Sequence, residues 1–302
     1  MDRYEKGHLL ETGVFGASIH SGTKLNGGEA VVLKYIGLPR RRETKRTYTN
    51  REGEVHKALS KHPSIAEYVE HFFHEGQQIV VVMQYETDLR KMLTAEPLAG
   101  GEIQTFMKQL LEGVAFIHEK GYIHRDIKPE NLFIHKRRQL KIGDFGLGRQ
   151  VDKQFMTLEV MTLEYRAIEL LLGARHYTNA VDLWSVGCVM AEMYRRVPLF
   201  RGDSTMNIAG CVIKVCGMPK QEDWPEFKTI EAMQFFEVTR GVPCELETSI
   251  PHACANAMAL IKKFFVFSSG HRITAKNALQ DKYFKEPDSS TINTEPKKMF
   301  FP

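Results

Sequence analysis

No stretch of this chain approaches the roughly twenty consecutive apolar residues that a bilayer-spanning helix requires, so the sequence predicts no membrane segment. Cysteine is scarce: five in 302 residues, an odd number, with no C-x-x-C spacing. That argues against a disulfide framework and predicts mostly buried thiols in a reducing compartment. An excess of one charge is also missing. Lys and Arg number 41 against 37 Asp and Glu, a formal net charge of +4, too mild to imply nucleic-acid binding. Internal repeats and low-complexity tracts are absent, and the opening Met1-Asp-Arg-Tyr-Glu-Lys is charged where a leader peptide would be apolar. Cytoplasm or nucleus is the expected location. What remains is 43% hydrophobic and 26% charged residues, ordinary for a globular protein, in a length that suits one two-lobed domain or two small ones.

The chain is organised around Tyr122 to Arg149. It reads Tyr122-Ile-His124-Arg125-Asp126-Ile-Lys128-Pro129-Glu130-Asn131-Leu-Phe-Ile, then a short basic loop, then Lys141-Ile-Gly143-Asp144-Phe145-Gly146. A stray Asp-Phe-Gly carries little information. Both motifs in this order, joined by a hairpin-sized connection, match the catalytic-loop and metal-loop signatures of protein kinases. The chain resembles a eukaryotic protein kinase, and within that group a cyclin-dependent kinase.

The resemblance implies phosphoryl transfer from ATP, a reaction in which the protein positions reactants and neutralises charge. By resemblance Asp126 orients the substrate hydroxyl, Lys128 reaches the transferring phosphoryl group, and Asn131 and Asp144 offer oxygens to magnesium. The expected fold is α+β. A two-lobed kinase domain covers residues 4–285, with a strand-rich small lobe (4–85), a mainly helical large lobe (88–285) and a polar, mobile tail at 286–302.

In the small lobe, Leu10-Glu-Thr-Gly13-Val-Phe-Gly16-Ala-Ser18 stands where a kinase carries its glycine-rich loop. Gly13 and Gly16 fit the second and third glycines, which let backbone amides approach phosphates without a Cβ in the way. Glu11 replaces the first glycine, and Ser18 the valine that covers the adenine. Glu29 to Ile36 reads as a strand with one lysine. There the resemblance makes Lys34 the anchor of the α and β phosphates, paired with a helix glutamate. Glu52 is assigned as that partner, with Glu54 the alternative. Val32 at the roof and Phe133 at the floor narrow the adenine pocket. Either Val82 or Met83 sits beside the base, and the lobes join near Thr87.

Further on, Ile103, Phe106, Met107, Leu110, Leu111, Val114 and Ile117 recur at helical spacing and predict a buried helix. Thr157 to Glu169 resembles the activation segment of cyclin-dependent kinases. Thr157 falls on their activating phosphorylation site, and Arg51, Arg125 and Arg149 fall on the positions that clamp that phosphate. A phosphothreonine carries about −1.5 to −2 charges, which guanidiniums bind through charge-assisted pairs. Thr162 fits the threonine supporting Asp126 and Lys128. Arg166 fits the arginine that shapes a pocket for proline after the phosphorylated residue. Asp182 is expected to anchor the catalytic-loop backbone, and Arg272 to pair with Glu169.

The expected function is therefore a proline-directed serine/threonine protein kinase. It would use ATP and Mg2+, act on protein substrates, and accept a cyclin or cyclin-like activator on its small-lobe helix. Glu11, Ser18, Val32, Phe133, Glu164 and Ile168 depart from the family pattern and motivate a second reading, a scaffold that binds partners without phosphotransfer. A small-molecule kinase does not account for the Thr157 segment.

Overall fold

The computed structural model describes residues 2–12, 17–37, 51–136, 138–150, 162–174, 177–220, 222–224, 244–288 and 290. Gly13, Gly16 and Thr157 lie outside the described residues.

Strands β1 (Tyr4–Thr12), β2 (Ser18–Lys24), β3 (Ala30–Gly37), β4 (Tyr68–His74) and β5 (Gln77–Met83) form an antiparallel sheet in the order β1-β2-β3-β5-β4. Alternation along a strand sends successive side chains to opposite faces. On β3, Val31, Leu33 and Tyr35 go to one face, where Tyr4, Ile79 and Val81 complete a small core. Val32 and Lys34 are left on the other face.

Register settles which neighbours share it. Val32 pairs with Val82 and Lys34 with Val80, whereas Met83 pairs with Val31 and packs against the small core. Val82 is thus the residue of that pair on the face of Lys34, and the Met83 side chain is turned away. The same reasoning corrects the expectation for Ser18. It pairs with Tyr35, and Ile19 pairs with Lys34, so Ile19 shares the Lys34 face and Ser18 occupies the opposite one. Leu10 lies at a bulge between Leu9 and Glu11 and is 47% exposed.

Helix α1 (Arg51–Leu59) packs against β4 of this sheet. After the connection through Gln84, strand β6 (Thr87–Asp88) joins β8 (Leu132–His135) and β9 (Gln139–Ile142) in a second sheet, while β7 (Tyr122–Ile123) pairs with β10 (Arg149–Gln150). The remaining helices begin with α2 (Leu89–Ala95), capped by Asp88, whose Oδ1 accepts from Lys91 N. The predicted stripe lies on α3 (Gly100–Glu119), and each of its seven residues is at most 1% exposed. After α4 (Ile168–Leu171), helix α5 (Ala180–Arg195) is buried from Ala180 to Tyr194 and packs against α3 and against α8 (Ala255–Phe264). Between them lie α6 (Thr205–Cys216) and α7 (Leu246–Ser249). Among the described residues no helix is long and apolar enough to cross a membrane.

Two corrections concern other parts of the large lobe. The expected mobile tail is docked as far as Ser290. Asp288, 6% exposed, accepts from the hydroxyl of Tyr194 and from Ser290 N at 3.0 Å, and Gly100 N donates to Ser290 O at 2.9 Å. These bonds join the chain after Phe284 to the start of α3 and to α5. The five cysteines are free, yet only Cys188 is buried, and Cys244 is exposed.

Candidate active site

The site forms where the Lys34 face of the small sheet meets the loops before β8 and after β9. Lys34 Nζ lies 2.9 Å from Glu52 Oε1 and 2.6 Å from Asp144 Oδ1. Residues two apart on a helix point about 200° away from each other, so α1 can present only one of its two glutamates. It presents Glu52; Glu54 is exposed on the other side, 3.3 Å from His71 Nε2. Burial alone would favour a neutral Lys34, but Asp144 and Glu52 outweigh it and its pKa is raised. Burial would also raise Asp144, but the Lys34 ammonium holds its carboxyl down at about 2. Glu52 is pushed up by burial, with Lys34 opposing.

A second cluster sits on the loop after β7. Asp126 Oδ2 is 3.0 Å from Lys128 Nζ and accepts from Asn131 Nδ2 at 2.9 Å; Asn131 also donates to Asp126 O. Thr162 closes the group: it accepts from Lys128 Nζ at 3.0 Å and donates to Asp126 Oδ1 at 3.3 Å. Each of the two loops holds one residue in an unfavourable backbone shape. Arg125 has φ 69 and Asp144 φ 57, left-handed values that cost a non-glycine residue about 1–3 kcal/mol and persist only where surrounding structure enforces them. The enforcing group at the first is Asp182. Its carboxylate accepts from His124 N (2.9 Å), Arg125 N (2.8 Å) and His118 Nε2 (2.8 Å).

The arginines expected to clamp a phosphate at Thr157 are placed as follows. Arg125 is 4% exposed, donating to Leu147 O and Tyr177 Oη. Arg149 enters the same region because β10 pairs it with Ile123, and Arg51 opens α1. Arg166 is buried and Glu164 half-buried just beyond Thr162. Tyr165 Oη donates to the fully buried Glu192 at 2.7 Å, and Arg90 bridges Glu192, Tyr165 and Glu130. This network fastens the segment after Thr162 to the catalytic loop, and sequence reasoning missed it.

It also missed the fit around Phe133. Phe133 stacks on Tyr85 with centroids 5.8 Å apart, and its ring edge fills the space where a Cβ on Gly143 would stand. The large Phe133 side chain, expected at the pocket floor, is thus accommodated by a residue with no side chain next to Asp144. The glycine in Lys141-Ile-Gly143-Asp144 was the available signal.

A run of rings connects α1 to this loop: Tyr68 to His56 at 5.6 Å, His56 to Phe145 at 4.8 Å, and Phe145 to His124 at 5.1 Å. His56 Nε2 also donates to Ala66 O at 2.7 Å. Burial pushes its pKa down to about 4, against about 6.5 in an unfolded chain. The folded state therefore binds fewer protons between these values, and stability falls as pH drops from 6.5 towards 4. At roughly 1.4 kcal/mol per pH unit, the loss from this group at pH 5 is about 2 kcal/mol. Urea unfolding at pH 7 and pH 5 should show wild type losing more stability than His56→Leu by about this amount. Equal losses would remove this histidine from the account.

Comparison with known proteins agrees with the geometry. Residues 4–284 match the protein kinase domain. Cyclin-dependent kinase 20 of Danio rerio is 35% identical over 290 residues, covering 94% of this chain and 84% of that protein. Cyclin-dependent kinase D-1 of Arabidopsis thaliana is 33% identical over 296 residues, covering 96% of this chain and 73% of the relative. With the lysine, both acidic loops and this coverage in place, the chain belongs to the protein kinase family, among the cyclin-dependent-kinase-like serine/threonine kinases.

Proposed function

We propose that the cleft transfers the γ-phosphate of magnesium-bound ATP to a serine or threonine hydroxyl, with Asp126, Lys128, Lys34, Glu52, Asn131 and Asp144 carrying the reaction. The observation that carries the reading is Lys34 held between Glu52 and Asp144 at 2.9 and 2.6 Å, with the Asp126 cluster on the adjoining loop. Lys34, fixed at both sides, presents its ammonium to the α and β phosphates. Asp126 accepts the hydrogen bond of the attacking hydroxyl and aligns it; Lys128 offsets charge on the transferring group. Val32, Val82 and Phe133 enclose the base.

Asp144 and Asn131 suit magnesium. One is a carboxylate kept ionised, and the other commits its amide nitrogen to Asp126, which turns its oxygen elsewhere. Among the described residues no group of three or more His, Cys, Asp or Glu is placed to hold a metal. That accords with a cation held by one or two protein oxygens plus phosphate and water. When bound, magnesium neutralises phosphate charge and fixes phosphate geometry.

Three finer assignments rest on resemblance. Arg166 favours proline after the phosphorylated residue, phosphorylation of Thr157 organises the segment through Arg51, Arg125 and Arg149, and a cyclin-type subunit docks near α1. The names of both relatives support the last.

The test is phosphopeptide formation from labelled ATP, magnesium and paired Ser-Pro and Ser-Ala peptides. Wild type should phosphorylate the first preferentially, and Asp144→Asn should fall to background at every magnesium concentration. Nucleotide binding without phosphopeptide, even with Thr157 phosphorylated and a cyclin present, would favour the scaffold reading.

A further inference from the structure

Two opposite charges stand on the two sides of the cleft mouth, and neither has a part in the chemistry assigned above. The first is Glu11. Directly opposed residues of neighbouring antiparallel strands share a face. Glu11 pairs with Ile19, and Ile19 pairs with Lys34, so Glu11 lies on the cleft face of the sheet, in the same row as Lys34. Thr12 pairs with Ser18 and takes the other face. Two strand spacings separate Glu11 from Lys34, about 10 Å. Strand β1 is the edge of the sheet. The exposed Glu11 carboxylate therefore hangs at the rim of the roof, where a glycine would offer no side chain at all.

The second charge is Lys91, on the large lobe. Strand β6 pairs Asp88 with Phe133, which puts Asp88 beside the expected floor of the base pocket. Asp88 Oδ1 accepts from Lys91 N, and Asp88 Oδ2 lies 2.8 Å from Lys91 Nζ. Lys91 is thus held in the first turn of α2 on the floor side of the mouth, with its side chain 76% exposed. Its pKa is raised, first by the hydrogen bond to Asp88, and the charge of Glu11 adds to the rise. The field of the roof carboxylate thus reaches the floor ammonium. An ammonium carries three donors, so Lys91 can keep Asp88 and still receive a second carboxylate.

We propose, on the reading of the cleft as the nucleotide site given above, that Glu11 and Lys91 are nucleotide-retaining residues: their attraction straps roof to floor at the mouth and slows the exit of bound nucleotide. The strap touches no bond of the reaction. Exposed ion pairs are weak and are screened by salt, so its effect is a few-fold in rate and belongs to low ionic strength.

The experiment measures release of magnesium-ADP from the immobilised full chain by surface plasmon resonance, at 50 mM and 500 mM salt. The variants are Glu11→Gln, Lys91→Met and the two combined. All three keep side-chain length at exposed positions, and the Asp88 cap of α2 is made to the backbone of residue 91, so the fold is retained. At low salt Glu11→Gln should release ADP about threefold faster than wild type. The same change made in Lys91→Met should alter release by less than about 1.5-fold, because its partner is gone. At high salt the difference between wild type and Glu11→Gln should also shrink below about 1.5-fold.

Equal release from wild type and Glu11→Gln at low salt would overturn the strap. So would the same acceleration by Glu11→Gln whether residue 91 is lysine or methionine. Either result leaves ADP bound in the cleft and the proposed function standing. A wild-type chain that binds no magnesium-ADP at either salt concentration would overturn both.

Discussion

Asp126→Asn should lower kcat by about 10² to 10⁴, the range for loss of a positioned general base, while leaving the fold and the KM for ATP nearly unchanged. The fold should survive because the backbone of this loop is held by Asp182, not by the Asp126 side chain. Asparagine is close to isosteric but brings an amide N–H2 into a ring of donors. Lys128 Nζ, Asn131 Nδ2 and the Thr162 hydroxyl all point at the present carboxylate. The new amide can satisfy them with only one oxygen, and nothing then accepts the substrate proton. Steady-state kinetics on a serine peptide, beside calorimetric titration with magnesium nucleotide, separates the two effects. A variant with wild-type kcat would strip Asp126 of its role; one that no longer bound nucleotide would point to structural damage.

Arg272→Met should be strongly destabilising, at about 3–5 kcal/mol, because removing one member of a buried ion pair leaves the other charged and unpaired. Arg272 is 4% exposed and Glu169 7%. Two parallel bonds of 2.9 Å join them, the bidentate geometry that makes an arginine–carboxylate pair strong. Arg272 also donates to the carbonyls of Val266, Ala180 and Phe267 and lies over the Trp184 ring at 5.0 Å. For a domain of this size each kcal/mol moves the melting point by roughly 2–4 °C, so the expected drop is on the order of 10 °C. Adding Glu169→Leu should recover part of it by removing the stranded carboxylate. The recovery stays partial because the three carbonyls remain without their donor. A melting point within 2–3 °C of wild type for the single variant would contradict this account.

What the sequence disclosed depended on how locally the chemistry is encoded. Asp126, Lys128 and Asn131 fall within six residues, so their mutual contacts follow from one turn of chain. Asp144 follows an alternating strand at a fixed remove. Between Glu52 and Glu54 the sequence left a choice that helical geometry resolves once α1 is placed. Ser18 was misjudged for a different reason. Its facing depends on the β2–β3 register, set by the turn at Leu25–Gly27, and a shift of one residue reverses every side chain in a strand. Val82 and Met83 were indistinguishable for the same cause. His56 was not singled out, because its partners, Ala66 O and the Phe145 ring, are 10 and 89 positions away. The docking of Asp288 relies on Tyr194, 94 positions earlier, and a polar composition carries no trace of such a contact.

The interlock of Phe133 with Gly143 restricts how this part of the protein can change over time. An alanine at 143 alone would drive the aromatic ring out of its slot. A leucine at 133 alone would leave a void against Gly143, and unfilled volume in a packed interior destabilises in proportion to its size. A change at either position alone is therefore poorer than a matched change at both. Comparing close relatives at 133 and 143 should show the two sites drifting as a pair.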